Sequence, residues 1–127
     1  KDLALKGIAA FTQAMARAIP TGKQNTFAAH NPPSFVGLVL RHSSPFNLAN
    51  AFEKPIWPKQ DQALTALSVR GLAEHEAKVA AAFSDGNDDW AYLDLTGAWP
   101  QDKGAAMPTL DALTDWVVQQ VRAELGA

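Results

Sequence analysis

At 127 residues, with 47% hydrophobic residues and a net charge of −2, the chain has the size and composition of a single globular domain with a core. The absence of cysteine excludes a disulfide framework and a thiolate metal site, and it suits a cytoplasmic location. No apolar run approaches the roughly 20 residues that span a bilayer, so no membrane partner is expected.

The charge is unevenly placed. Between Leu3 and Phe52 four cations (Lys6, Arg17, Lys23 and Arg41) meet no carboxylate, giving +4, whereas from Glu53 onward six cations face twelve carboxylates, giving −6. Such asymmetry points to a polyanionic partner for the first half. The chain opens Lys1-Asp2 and moves at once into a helical pattern, so a piece of a longer protein is expected.

Leu3 to Ile19 reads as a helix whose apolar stripe is Ile8, Phe11, Met15 and Ile19, with Phe11 and Met15 expected in the core. Pro20 ends it. The connection from Pro20 to Pro33 contains one lysine and several amides and hydroxyls but no carboxylate, a donor-rich composition suited to an anion. Within it Thr26 to Ala29 is a candidate short strand. Phe35 to Leu40 is a continuous apolar run, expected as a strand covered on both faces, and Gly37 within it suggests a bulge or a close backbone approach.

Asn47 to Glu53 reads as a short helix with Leu48 and Phe52 inward. Trp57, between Pro55 and Pro58, is read as a plug over the core, with an exposed contact as the alternative. Gln62 to Phe83 is a long helix with Leu64, Leu67, Gly71, Leu72, His75, Val79 and Phe83 on one side. Arg70, Glu74 and Lys78 are expected as a charge-paired surface at spacings of four. The run 84–89 reads as a solvated turn and Trp90 to Leu95 as a strand with one buried face. A loop covers 97–108, after which Thr109 caps a helix with Leu110, Leu113, Val117, Val121 and Leu125 inward. The fold class is therefore α+β. Its strands are few for three long amphipathic helices, so a sheet edge is expected to be supplied from elsewhere.

Thr21-Gly22-Lys23 is not a nucleotide-binding P-loop: Arg17 stands where the first glycine belongs, Gln24 stands in place of the magnesium-binding hydroxyl, and the loop follows a helix. His30, His42 and His75 lie too far apart for a short metal-ligand pattern, and neither a metal nor a cofactor is expected. Asp85, Asp88 and Asp89 lack the ordered spacing of a calcium loop. His30 and His42 flank one strand and carry the alternative reading, a metal-independent RNA-processing endoribonuclease. The favoured chemistry is phosphate binding. Lys23 is a mobile point charge, Gln24, Asn25 and Thr26 are neutral donors to phosphate or ribose, and Arg41 at the strand end can join them. The alternative is that Asn25 and Thr26 merely satisfy the turn's own backbone.

Three stretches carry a family resemblance. Ala18 to Pro32 (Ala-Ile-Pro-Thr-Gly-Lys-Gln-Asn-Thr-Phe-Ala-Ala-His-Asn-Pro) resembles the signature segment of the CasC-type backbone subunit of the type I-E CRISPR Cascade complex. Asn47 to Lys54 resembles that family's Met/Leu-Ala-Asn-Ala-Phe-Glu segment, and Met107 to Val117 its Met-Pro-Thr-Leu helix. The resemblance implies that residues 1–127 are the C-terminal portion of one palm domain, of a modified ferredoxin-like (RRM-like) fold that is incomplete on its own, with the N-terminal palm strands and thumb absent. It implies a non-catalytic RNA-binding subunit of an antiviral surveillance complex. Its partners would be CRISPR RNA, copies of itself in a helical filament, other Cascade subunits and, through the guide, target DNA. Within the motif Lys23 and Gln24 would contact the RNA backbone, with Asn25 and Thr26 beside them. Holding the backbone leaves base edges free, as a protein that must accept any guide requires.

Overall fold

The computed structural model describes residues 1–17, 32–84 and 86–126. Helix α1 (Asp2–Arg17) precedes strand β1 (Phe35–Leu40), a 3-10 helix at Ala49–Phe52 and helix α2 (Leu64–Phe83). Strand β2 (Asp89–Asp94), the two-residue strand β3 (Ala105–Ala106) and helix α3 (Leu110–Glu124) complete the order. The sheet runs β1-β2-β3, with β1 antiparallel to β2 and β2 parallel to β3. This is a mixed α+β fold. The candidate strand at Thr26 to Ala29 lies outside the described residues.

Register explains how the sheet is covered. Gly37 stands opposite Tyr92 and Val36 opposite Leu93, so alternate residues of the pair face opposite sides. One face sends Phe35, Trp90 and Tyr92 toward Val69 and Ala73 of α2. The other sends Val36, Leu38, Ala91 and Leu93 toward Leu110, Leu113 and Trp116 of α3, with Ala16 of α1 alongside. The sheet is therefore sandwiched, and β2 has two covered faces rather than the single one expected: Ala91 and Tyr92, neighbours in sequence, are both buried. The second face is covered because Trp99, from beyond the strand, folds back over Trp90 and Tyr92. Its ring lies 4.7 Å from Phe35, 5.3 Å from Trp90 and 6.2 Å from Tyr92, tilted contacts each contributing about 0.5–1.5 kcal/mol beyond area burial.

Two glycines make this packing possible. A Cβ on Gly37 would stand 3.0 Å from the Phe35 ring and 3.1 Å from Trp90, so the expected close approach is to side chains. Gly104, at φ +104°, brings the chain against Trp90; a Cβ there would be 2.8 Å from the Trp90 carbonyl oxygen. That approach feeds β3, a strand within the span expected as a loop.

Two helices depart from their expected faces. In α1 the buried residues are Leu5 and Thr12, while Phe11 and Met15 are exposed, as is Leu3. Polar pairing accompanies this rotation. Thr12 Oγ1 donates to the Ile8 carbonyl at 2.8 Å, which satisfies a hydroxyl that is buried, and Gln13 Nε2 donates to Asp111 Oδ1 at 2.9 Å and Thr114 Oγ1 at 2.8 Å on α3. In α2 the buried residues are Val69, Ala73 and Glu76, one step round from the expected stripe, whose ends Leu64 and Phe83 are exposed. Phe52 is likewise exposed rather than inward. In α3, by contrast, Leu113 is fully buried and Thr109 Oγ1 accepts from the Ala112 N–H at 3.1 Å, the cap the sequence predicts.

Candidate functional site

Four of the five candidate RNA-contact residues, Lys23, Gln24, Asn25 and Thr26, lie outside the described residues, as does His30. What the structure gives is the frame on either side of them, α1 before and β1 after. Arg41, directly beyond β1, is described, and its side chain turns inward with 8% exposure. Its Nε donates to Asp88 Oδ2 at 3.2 Å, its Nη2 lies 3.6 Å from Glu76 Oε1, and its guanidinium sits 4.0 Å above the Phe46 ring centre. Asp88 Oδ2 also accepts from Ser84 Oγ at 3.0 Å, and Lys103 Nζ pairs with Glu76 Oε2. Two cations and two carboxylates thus meet between β1, α2, the turn before β2 and the turn before β3.

This cluster corrects the reading of the 84–89 run as a solvated turn, because Asp88 is one of its anchors. Glu76, at 1% exposure, could not be found by periodicity, since it lies on the face of α2 that apolar residues would be expected to fill. A buried carboxylate requires compensating charge. Residues 35 positions before it and 27 after it supply that charge, and no local sequence pattern marks such pairs. His42, the other half of the alternative nuclease pair, is partly exposed with Nε2 3.6 Å from Glu124 Oε1 at the end of α3. Among the described residues no cluster of metal-ligating groups occurs and no helix is long and apolar enough to cross a membrane.

A separate groove of about 510 Å³ runs between the segment after the 3-10 helix and the outer side of α2. Ile56 closes its floor against Gly71, where a Cβ would lie 3.6 Å from Ile56 Cδ1. Trp57 stands at its edge, 81% exposed, so it is not the core plug the sequence suggested. His75, expected in the core, is half-buried and lines the groove. Arg70, Glu74 and Lys78 also line it, and among the described residues none of them forms an ion pair, contrary to the charge-paired surface expected from their spacing.

The fold is shared with solved structures. A chain of a "CRISPR RNA-guided surveillance complex" superposes with a TM-score of 0.80 at 23% identity, covering 94% of this chain and 45% of that one. A chain of a "CRISPR RNA-guided surveillance complex, pre-nicking" does so with a TM-score of 0.81 at 23% identity, covering 92% of this chain and 34% of that one. The chain therefore spans less than half the length of these two structural relatives. Among curated proteins no sequence matches it. The sequence profile described as CT1975-like protein, a Cas family, matches residues 1–116, and the chain belongs to that family.

Proposed function

We propose that this chain is the RNA-holding part of a non-catalytic subunit that polymerises along CRISPR RNA in a type I-E Cascade complex, in the cytoplasm. The observation that carries the proposal is a fold shared, over more than nine-tenths of the chain, with chains of CRISPR RNA-guided surveillance complexes, together with membership of a Cas family. In this reading the chain is the C-terminal portion of a ferredoxin-like palm. The acid-free connection between α1 and β1 meets the RNA backbone, with Lys23 and Gln24 as principal contacts and Asn25 and Thr26 as neutral donors.

Arg41 leaves the contact set, because its guanidinium is committed to Asp88 and Glu76. It acts by fixing the strand into which the connection runs. Copies of the subunit along the guide, with other Cascade subunits, multiply contacts that are individually weak, and target DNA is engaged through the guide's exposed bases.

The test is RNA affinity against salt concentration for the full-length protein, wild type beside Lys23→Ala. The expected result is a shallower salt slope in the variant, by roughly 0.7 for each phosphate that the lysine neutralises. An unchanged slope would move the RNA contact away from this connection. Guide cleavage without metal that disappears in His42→Ala would instead favour the endoribonuclease reading built on His30 and His42.

A further inference from the structure

The groove outside α2 carries chemistry that neither the family membership nor the Lys23 connection accounts for. Its aromatic residue sits on a restricted stretch of backbone. Ile56 packs inward on Gly71, Pro55 and Pro58 flank the pair and restrict the backbone, and Trp57 is left facing solvent at 81% exposure. The backbone that carries the indole is thereby restricted, and the ring offers an open face to something that stacks on it. Lys54, Arg70 and Lys78 line the same groove, all three exposed and none ion-paired among the described residues. Among the described residues Glu74 is the only carboxylate in the lining, so the balance there is positive even though the chain from Glu53 onward is strongly acidic.

A single exposed aromatic face beside unpaired cations is the arrangement that holds unpaired bases by stacking and their phosphates by charge, without reading sequence. A volume of about 510 Å³ accommodates one nucleotide with room for its flanking phosphates. An acidic protein segment would also be drawn to the cations, but it would leave the indole without a matching planar surface. We propose that this groove is a second contact for single-stranded RNA, one base stacking on Trp57 and the adjacent phosphates meeting Lys54, Arg70 and Lys78. The proposal rests on the reading that the subunit holds RNA, but it uses a different surface from the connection that contains Lys23.

The experiment uses the full-length protein and an oligouridine. Trp57→Phe, subtracted from wild type, isolates the Trp57 emission. That emission should be quenched as oligouridine binds and should become shielded from iodide. Trp57→Ala should weaken binding roughly ten-fold, with Trp57→Phe recovering part of the loss, as a stacking contact does. Lys54→Ala with Arg70→Ala should lower the salt slope independently of Lys23→Ala.

Oligouridine that binds, by anisotropy, with the Trp57 emission unchanged would overturn the groove contact and leave the Lys23 reading standing. Quenching retained in a Lys23→Ala variant of unaltered salt slope would do the reverse. Shielding of Trp57 that follows protein concentration without RNA, or that an acidic peptide produces and oligouridine does not, would make the groove a protein interface and overturn the proposal.

Discussion

On the α3 side of the sheet, Val36, Leu38, Ala91 and Leu93 meet Leu110, Leu113 and Trp116, and burial of apolar surface holds the layers together. On the α2 side, Phe35, Trp90, Tyr92 and Trp99 share the interface with the Arg41, Glu76, Asp88 and Lys103 cluster. Apolar burial is non-directional and tolerates small shifts of a helix. A buried charge cluster tolerates few, because each carboxylate must keep its cations. The α2 side is therefore the face with a fixed geometry, and it is the one that carries the Trp57 groove on its outer surface. Of the four cations in the acid-free first half, Arg41 serves internal pairing and does not add to an external field.

The largest expected effect breaks the charged side. Glu76→Ala leaves Arg41 and Lys103 facing one another without their shared carboxylate, and a change of this kind costs about 3–5 kcal/mol. Urea unfolding of the full-length protein should show that loss. Replacing Glu76, Arg41, Asp88 and Lys103 together with apolar residues of similar volume should cost much less, because a fully removed cluster leaves no uncompensated charge. Equal losses in the single and quadruple variants would mean that shape, not charge, holds α2.

The matching test on the other side is Leu113→Ala. Leu113 is fully buried against Val36 and Ala91, and its truncation should cost about 2–5 kcal/mol through forfeited transfer energy and the cavity left behind. Here a volume-conserving Leu113→Met should restore most of the stability, costing under about 1.5 kcal/mol. Failure of methionine to do so would show that this side is as geometrically fixed as the other.

The same contrast separates what is legible in the sequence from what is not. The Leu110 and Leu113 part of the α3 stripe, the Thr109 cap and a β1 packed on both faces follow from spacing and local chemistry, and the structure has them, whereas Leu125 at the end of the stripe and Val39 near the end of β1 are exposed. Periodicity finds the most apolar face of a helix, but the covered face depends on what the neighbour offers. Thus Gln13 bonds α1 to Asp111 and Thr114 of α3, while Phe11 and Met15 stay outside. Arg41 reads as a strand-end phosphate ligand because its carboxylate partners are 35 and 47 residues away. The Lys23 segment is legible as a family signature, which no periodicity could supply. Its residues lie outside the described ones.

The smallest effect sharpens how the aromatic half of the α2 side is held. Asp94 ends β2, and its Oδ1 accepts from the Thr96 N–H at 2.8 Å and the Thr96 hydroxyl at 2.6 Å, while Oδ2 accepts from the Trp99 N–H at 2.9 Å. Partial burial pushes the Asp94 carboxyl up. Hydrogen bonds from the Thr96 hydroxyl and from the backbone N–H groups of Trp99, Thr96 and Gly97 outweigh it, so the carboxyl sits below its ordinary range. A carboxyl depressed in the folded state contributes stability that is full above its unfolded value, about 3.9, and is lost as pH falls through the folded one. Asp94→Asn keeps an acceptor for this turn but cannot titrate. Wild type should therefore lose more stability than Asp94→Asn as pH falls below about 4. The variant should show a modest loss at neutral pH, seen as a small drop in unfolding midpoint and a change in near-ultraviolet tryptophan signal as Trp99 loosens. Parallel pH curves would mean that Trp99 is held by its ring contacts and by the bond from its Nε1 to the Lys103 carbonyl at 2.9 Å, with the Asp94 turn following the packing rather than directing it.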